Sequence, residues 1–264
     1  MTIAVVGVDR GTIESDANYH LEAHTVASAS DPDPPATMLE TPVYNLVVDH
    51  PEATVLWDTG SHPEAGEGYW PEPLYDAFAH VDAAEHRLAD DLAAAGYDLA
   101  DIDSVVASHL HVDHAGGLHN FAGTDTPVYV HADELQFAYY SAVTDEGSAG
   151  YLQADFDRDL NWRVVHRDRH TLLDGVELVR LPGHAPGLLG LVVHREDGTL
   201  VAAGDQCEVA AHHEGHPQGA GLLWDRQAWR ESLETVRELE RRHDATVLYG
   251  HDPDQLERIL AGWD

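Results

Sequence analysis

Residues His109-Leu110-His111-Val112-Asp113-His114 place four metal-capable side chains in six consecutive positions, enough to hold two ions rather than one. His109 and His111 alternate, so in an extended or tightly turned segment they point the same way and can clasp one ion. Asp113 and His114 follow after a further turn and can serve a second. Residues 102–107 form a short apolar stretch of strand type that ends just before the run. Ala115-Gly116-Gly117 comes just after it, where small residues let backbone approach closely. Ligands at the carboxyl end of a strand, beside a glycine turn, are where open α/β sheets place their chemistry.

The arrangement recurs along the chain. His184 in Pro182-Gly183-His184 follows Val179-Arg180-Leu181. Asp205 follows Leu200–Ala203 and Gly204, and His251 in Gly250-His251-Asp252 follows Val247-Leu248-Tyr249. Each time a β-rich apolar run ends in glycine, or in proline and glycine, and a metal-capable side chain comes next. A lone histidine after a strand is most often structural, whereas three such ends beside the dense run make a constellation. It allows two sites: His109, His111 and His184 around one ion, Asp113, His114 and His251 around the other, with Asp205 bridging. Imidazole and carboxylate without thiolate suit Zn²⁺ and tolerate Mn²⁺, Fe²⁺ or Co²⁺. Between two dications about 3.5–4 Å apart, a bridging water should ionise near neutral pH and become a nucleophile. Asp58 is a candidate to orient a ligand imidazole by accepting its other N–H, or else caps a turn with Gly60.

Charge narrows the partners. The chain of 264 residues carries 14 basic and 48 acidic residues, a formal net charge of -34, and every basic residue is arginine. Such a chain should repel nucleic acid and anionic membrane surfaces. At molar salt the Debye length falls to about 3 Å and the self-repulsion is screened, so the acidity reads as adaptation to a salt-loaded cytoplasm. The lone Cys207 excludes an intrachain disulfide and a cysteine-rich zinc finger. Met1–Val8 is short, lacks a basic flank and reads as a first strand rather than a signal peptide. No segment approaches the roughly 20 apolar residues of a membrane span, so a soluble, cytoplasmic protein is expected.

One α/β domain over residues 1–264 is expected, with no internal repeat and no dividing linker. A polar, proline-rich stretch from about Ser15 to Pro42 reads as a long loop of the kind that forms lids. Tyr44–Val48 and Thr54–Trp57 read as strands, Ala83–Ala95 as a helix closed by Gly96, and Pro127–His131 as a strand. Residues 132–174 read as a helical, irregular insertion. Its aromatic set of Phe137, Tyr139, Tyr140, Tyr151, Phe156 and Trp162 fits core, with a substrate wall as the alternative. Val176–Leu181, Leu188–Val193 and Thr199–Ala203 read as strands, Asp225–Arg242 as a charged helix, Thr246–Tyr249 as a last strand, and a closing helix runs out near Trp263.

These residues resemble the metallo-β-lactamase superfamily and, within it, the N-acyl-homoserine lactonase group. The likeness spans Leu56–Gly60, Ser108–Gly117, Pro127–Val130, Leu181–Gly187, Ala203–Asp205 and Gly250–Pro253. It implies a four-layer αβ/βα sandwich with a dinuclear site in a cleft. It also implies opening of a lactone ring by a metal-bridging hydroxide, with the carbonyl polarised by the His109/His111/His184 metal. Asp113 would be the catalytic residue that delivers a proton to the departing alkoxide. The loop after Ser15 and the aromatic insertion, Phe137 and Tyr140 in particular, would shape the acyl-chain pocket. The chain departs from the group at Glu208, three residues beyond Asp205, where such lactonases usually carry tyrosine. An ionised carboxylate there would repel an oxyanion, so Glu208 is expected to turn away or be protonated, or else the substrate differs. Cys207 reads as a small buried residue, and His212, His213 and His216 as a solvated loop.

Two rivals share the ligand set: a glyoxalase II-like thioester hydrolase and a non-catalytic metal-stabilised scaffold. The first would hold its substrate with basic groups in a C-terminal extension. Here Arg237, Arg241, Arg242 and Arg258 lie on helices that read as solvent-facing. The second is disfavoured because structural zinc sites are normally closed and mononuclear. The expected partner is a small lactone or related ester, with a homodimer left open. The salt reading has its own check: the thermal midpoint should rise by several degrees between low and molar salt. A midpoint that salt does not move would remove the halophilic reading.

Overall fold

A computed structural model describes residues 2–144, 146–215 and 218–262. The strands are β1 (Ala4–Asp16), β2 (Met38–His50), β3 (Ala53–Trp57), β4 (Phe78–His80), β5 (Ser104–Val106), β6 (Pro127–His131), β7 (Asn161–Val165), β8 (Arg169–Leu173), β9 (Val176–Arg180), β10 (Leu189–Arg195), β11 (Gly198–Gly204) and β12 (Thr246–Tyr249). The helices are α1 (Ala17–His20), α2 (Glu72–Ala77), α3 (Leu88–Ala94), α4 (Val112–Ala115), α5 (Ala132–Val143), α6 (Gln153–Phe156), α7 (Arg226–His243) and α8 (Pro253–Ala261). One sheet runs β4-β1-β2-β3-β5-β6-β7 and the other β12-β11-β10-β9-β8.

Strand alternation builds the layers. Leu46, Val48, Val55, Trp57 and Val106 point inward from the first sheet to meet Leu178, Leu191, Val193, Leu200, Ala202 and Leu248 of the second. Their sequence neighbours Val47, Leu56 and Val105 face outward onto Leu88 and Leu92 of α3. On the second sheet Val192, Val201 and Val247 face outward onto Trp229, Leu233, Val236 and Leu239 of α7. Each central strand is covered on both faces, so its sequence is a continuous apolar run rather than an alternating one. The result is helix, sheet, sheet, helix, the four-layer order that the family resemblance implies. Asp225 caps α7 by accepting from the Ala228 backbone N–H at 2.7 Å. No helix among the described residues is long and apolar enough to cross a membrane.

Three stretches differ from the sequence expectation. The Ser15–Pro42 loop is shorter: Ser15 pairs with Leu39 and Asp16 with Met38 in the β1–β2 ladder, leaving residues 21–37 irregular. Non-local backbone pairing outweighs the polar composition of these strand ends. The Ala83–Ala95 helix is broken into a 3₁₀ turn at Ala83–Glu85 and α3, with His86 between them drawn to Asp82 and Asp91. The insertion at 132–174 is helical only in part. Its last third forms β7 and β8, each the outermost strand of its sheet. Most residues of both strands are partly or fully exposed, so neither carries the apolar run that marks a strand covered on both faces. Trp263 lies outside the described residues.

Burial also traps a carboxyl group. Asp155 on α6 is 1% exposed and accepts from the Tyr69 hydroxyl at 2.7 Å. Desolvation pushes its pKa up to about 7, although the Tyr69 bond and the Arg158 charge pull it down. A carboxyl whose pKa is raised in the folded state contributes stability that is present at low pH and lost as pH rises through about 7. Asp155→Asn should therefore stabilise the protein by roughly 1–3 kcal/mol at pH 8 and by much less at pH 5, read from denaturant unfolding at the two pH values.

Candidate metal centre

The candidate ligands gather where strands of both sheets end. His109 and His111 follow β5, Asp113 and His114 lie on or beside the single turn of α4, and His184, Asp205 and His251 follow β9, β11 and β12. Close backbone approach makes this convergence possible. A Cβ on Gly116 would stand 2.1 Å from the backbone nitrogen of His62, and one on Gly250 would stand 2.7 Å from Asp205 Oδ1. Neither position admits a side chain.

Two overlapping clusters result. His111 Nδ1 lies 3.1 Å from His109 Nε2 and 3.0 Å from His184 Nε2. Asp113 Oδ2 lies 3.5 Å from His114 Nε2 and 3.6 Å from His251 Nε2. Asp205 stands between them, 3.4 Å from His184 Nε2, 3.4 Å from His114 Nε2 and 3.3 Å from His251 Nε2. Donor atoms around a tetrahedral zinc with bonds of about 2.0–2.1 Å are spaced by roughly 3.3 Å, so the separations fit cation coordination. The triads His109/His111/His184, His109/His114/Asp205, Asp113/His114/His251 and His184/Asp205/Glu208 are each compact enough to share an ion. His114 Nε2 and Asp205 Oδ1 are buried and without a hydrogen-bond partner in the protein. Buried polar atoms left unpaired are costly, and a cation would satisfy both.

The outer ring nitrogens are fixed by a second set of groups. Asp58 accepts from the Ser108 backbone N–H at 2.7 Å, the Ser108 hydroxyl at 2.7 Å and His114 Nδ1 at 2.9 Å. With its proton given to Asp58, Ser108 Oγ is free to accept from His109 Nδ1 at 3.1 Å. His251 Nδ1 donates to the Pro42 carbonyl at 2.8 Å. These bonds hold the ring proton on Nδ1 and turn Nε2 of His109, His114 and His251 inward, the atom and tautomer that bind metal. Asp58 thus orients two imidazoles, and does so from a left-handed backbone at φ 61°. A non-glycine residue held there is strained, which the surrounding bonds must outweigh. Burial and the neighbouring His184 imidazole hold His111 down to about 3. Burial opposes protonation of His251 too, but Asp205 and Asp113 draw it up to about 9.

A buried carboxylate that sequence reasoning passed over braces the ligand loops. Glu134, in the first turn of α5, accepts from the Leu110 N–H at 3.0 Å, the Tyr151 hydroxyl at 2.8 Å and the Gly187 N–H at 3.1 Å. Leu110 sits between His109 and His111, Gly187 follows His184, and the Tyr151 ring packs 4.5 Å from that of His111. Its place inside a helix, with partners 24 and 53 residues away in sequence, gave no local signal.

A cavity of about 510 Å³ opens over the clusters. Its floor is His111, Asp113, His184, Asp205 and His251, and its apolar walls include Ile13, Trp70, Leu74, Phe78, Phe137 and Trp224. Phe137 is where the sequence placed it, packed 6.3 Å from Trp224. Tyr140 is not in the wall. One helical turn past Phe137, it is absent from the cavity lining, 43% exposed and bonded to Glu146. Tyr151 and Phe156 are buried with the outer core of the first sheet. From the expected lid only the flanking His20 and Thr41 reach the wall; residues 21–37 do not. Trp70, Leu74, Phe78 and Leu222–Trp224 went unread because each lies in a short element or a connection whose neighbours are distant in sequence.

Glu208 is neither turned away nor neutral. It lines the cavity, lies 2.8 Å from His20 Nδ1 and 3.4 Å from His184 Nδ1, and these two imidazoles hold its pKa at about 2 against the desolvation that would raise it. His212 and His213 are buried rather than solvated. His212 accepts from the Glu208 backbone N–H and reaches the His20 carbonyl, while His213 packs against Tyr249. These tertiary contacts draw a polar loop inward; His216 lies outside the described residues. Cys207 is fully buried, as expected, and burial pushes its thiol up.

Four layers, ligand loops at their shared edge and a histidine-aspartate centre define a class, and the sequence model of the metallo-beta-lactamase superfamily matches residues 39–251. The chain belongs to that superfamily. The N-acyl homoserine lactonase AiiB of Agrobacterium fabrum is 31% identical, over 97% of this chain and 96% of that protein. The N-acyl homoserine lactonase AiiA of Bacillus thuringiensis subsp. kurstaki is 27% identical over 84% and 85%. Among solved structures, an N-acyl homoserine lactone hydrolase with N-hexanoyl-L-homoserine at its catalytic metal centre has a TM-score of 0.83 at 24% identity, covering 97% of this chain and 96% of that one. The dizinc quorum-quenching lactonase AidC has a TM-score of 0.66 at 17% identity, covering 95% and 88%. The last two are likenesses of fold.

Removing Glu134 should loosen the first cluster. Glu134→Ala strands two buried N–H groups and is expected to weaken metal binding about 10–100-fold, measured by competition with a chelator, while far-UV circular dichroism stays native. Metal affinity equal to wild type would show that the brace is dispensable.

Proposed function

We propose that this chain is a metal-dependent lactonase that opens the ring of an N-acyl homoserine lactone, a quorum-quenching type of activity. The observation that carries the reading is the pairing of two cation-sized donor clusters with an apolar cavity directly above them. The relatedness to AiiB over nearly the whole of both chains supports it.

His109, His111 and His184 would hold one divalent ion and Asp113, His114 and His251 the other, with Asp205 in reach of both. The imidazole and carboxylate donors favour zinc. Such a pair supplies Lewis-acid polarisation of a carbonyl and an acidified water. The protein's own groups do the rest. Ile13, Trp70, Leu74, Phe78 and Phe137 bury an acyl chain and keep bulk water from the reacting ester. Asp58 and Ser108 hold two ligand imidazoles in one tautomer. Asp113 is the catalytic proton carrier: it faces the cavity, and its second oxygen can take the proton that the attacking water releases and pass it to the ring oxygen as the C–O bond breaks. No arginine is among the described residues that line the cavity, which leaves a glutathione-like thioester without an anion anchor.

Purified protein in molar salt should release acid from N-hexanoyl homoserine lactone, lose that activity to a chelator and regain it with zinc, manganese or cobalt. Thioester cleavage faster than lactone opening would overturn the proposal. Asp113→Asn is expected to lower kcat by about 10²–10⁴-fold with the thermal midpoint little changed. Wild-type turnover in that variant would remove Asp113 from its role.

A further inference from the structure

The lactonase reading leaves open what the cavity recognises beside the ring, and on that reading the arrangement around Glu208 supplies an answer. Glu208 Oε2 lies 2.8 Å from His20 Nδ1, and Oε1 lies 3.4 Å from His184 Nδ1. A carboxylate can only accept, so His20 Nδ1 carries a proton and donates to it, while Nε2 pairs with the Ser15 hydroxyl at 2.7 Å. His212 ties the pair from behind, accepting from the Glu208 backbone N–H at 3.2 Å and donating to the His20 carbonyl at 2.8 Å. Glu208, His20, Ser15 and His212 are all buried. A carboxylate is thereby fixed in one orientation on the wall of an otherwise largely apolar cavity.

Its chemistry restricts what can face it. A carboxylate offers about four lone-pair sites and no donor, and the His20 N–H engages one of them. Both ring nitrogens of His20 are taken, so the pair presents acceptors alone. The ester carbonyl is a poor neighbour, because its oxygen gains negative charge as the ring opens. The group that fits is a hydrogen-bond donor near the scissile ester. In an N-acyl homoserine lactone the amide N–H, on the carbon next to the ring carbonyl, is such a donor. An alkyl γ-lactone of the same ring size has none.

We propose that Glu208, held in place by His20, is a specificity-determining residue that accepts the substrate's amide N–H and selects donor-bearing lactones over those without one. A hydrogen bond to a charged partner distinguishes such ligands by about tenfold or more. Glu208→Gln preserves size and an acceptor for His20, but turns an NH₂ group toward the substrate.

The test compares N-hexanoyl homoserine lactone with its N-methyl counterpart, which keeps ring, tail and carbonyl and carries a methyl group in place of the amide hydrogen. Wild type should favour the first by at least about tenfold in kcat/KM, mainly through KM, and Glu208→Gln should shrink that ratio to about threefold or less with metal content intact. A ratio that survives the substitution overturns the proposal. So does an equal loss on both substrates, or loss of metal from Glu208→Gln, either of which would make Glu208 part of the metal centre. Calorimetric binding of N-hexanoyl-homoserine and its N-methyl form to both proteins is read in parallel. If wild type opens neither lactone, the lactonase reading fails by itself, and the binding ratio still decides the role of Glu208.

Discussion

Asp205 places one buried carboxylate within 3.3–3.4 Å of three imidazoles carried by three different loops. So many polar donors in a water-poor site are tolerable only if each finds a partner, because an unpaired buried polar atom costs up to several kcal/mol. The outer nitrogens of His114, His109 and His251 find protein partners in Asp58, Ser108 and the Pro42 carbonyl. Their inner atoms converge on one another at distances suited to coordination and unsuited to hydrogen bonding between like acceptors. The rest of the structure is arranged so that this convergence holds.

The sandwich supplies rigidity by burying both faces of its central strands, which end at one shared edge. The ligand loops are short continuations of those ends, so packing energy spent in the layers is transmitted to the site. Asp58 and Glu134 work at the seam. Asp58 links the end of β3 to the ligand run, and Glu134 links that run to the loop of His184. Both are buried carboxylates that accept three hydrogen bonds, the condition under which such groups rigidify rather than destabilise.

Around this centre the acidic surface and the cavity serve different ends. The net charge of -34 acts on solubility and salt response, not on fold. The cavity wall is neutral and largely apolar except at Glu208, where two imidazoles flank the carboxylate. A charge the sequence could only flag as out of place is thereby made compatible with a site that must stabilise an anion.

The sequence by itself determined the candidate ligands and the strands that present them. Four of the seven sit in one hexapeptide, and the others follow apolar runs that end in glycine, so local pattern was enough. Pro127–His131 and Thr246–Tyr249 were legible for the same reason: both faces of these strands are covered. Tertiary structure decided what no local pattern carries. It turned residues 161–165 and 169–173 into edge strands, extended β1 and β2 into a proline-rich stretch, moved Tyr140 out of the wall and brought Trp70, Phe78 and Trp224 into it. It also drew His212 and His213 inside and joined His20 to Glu208 across 188 residues. Such contacts depend on pairing between distant segments, and periodicity, which reports only which face of one element is apolar, holds no record of the partner.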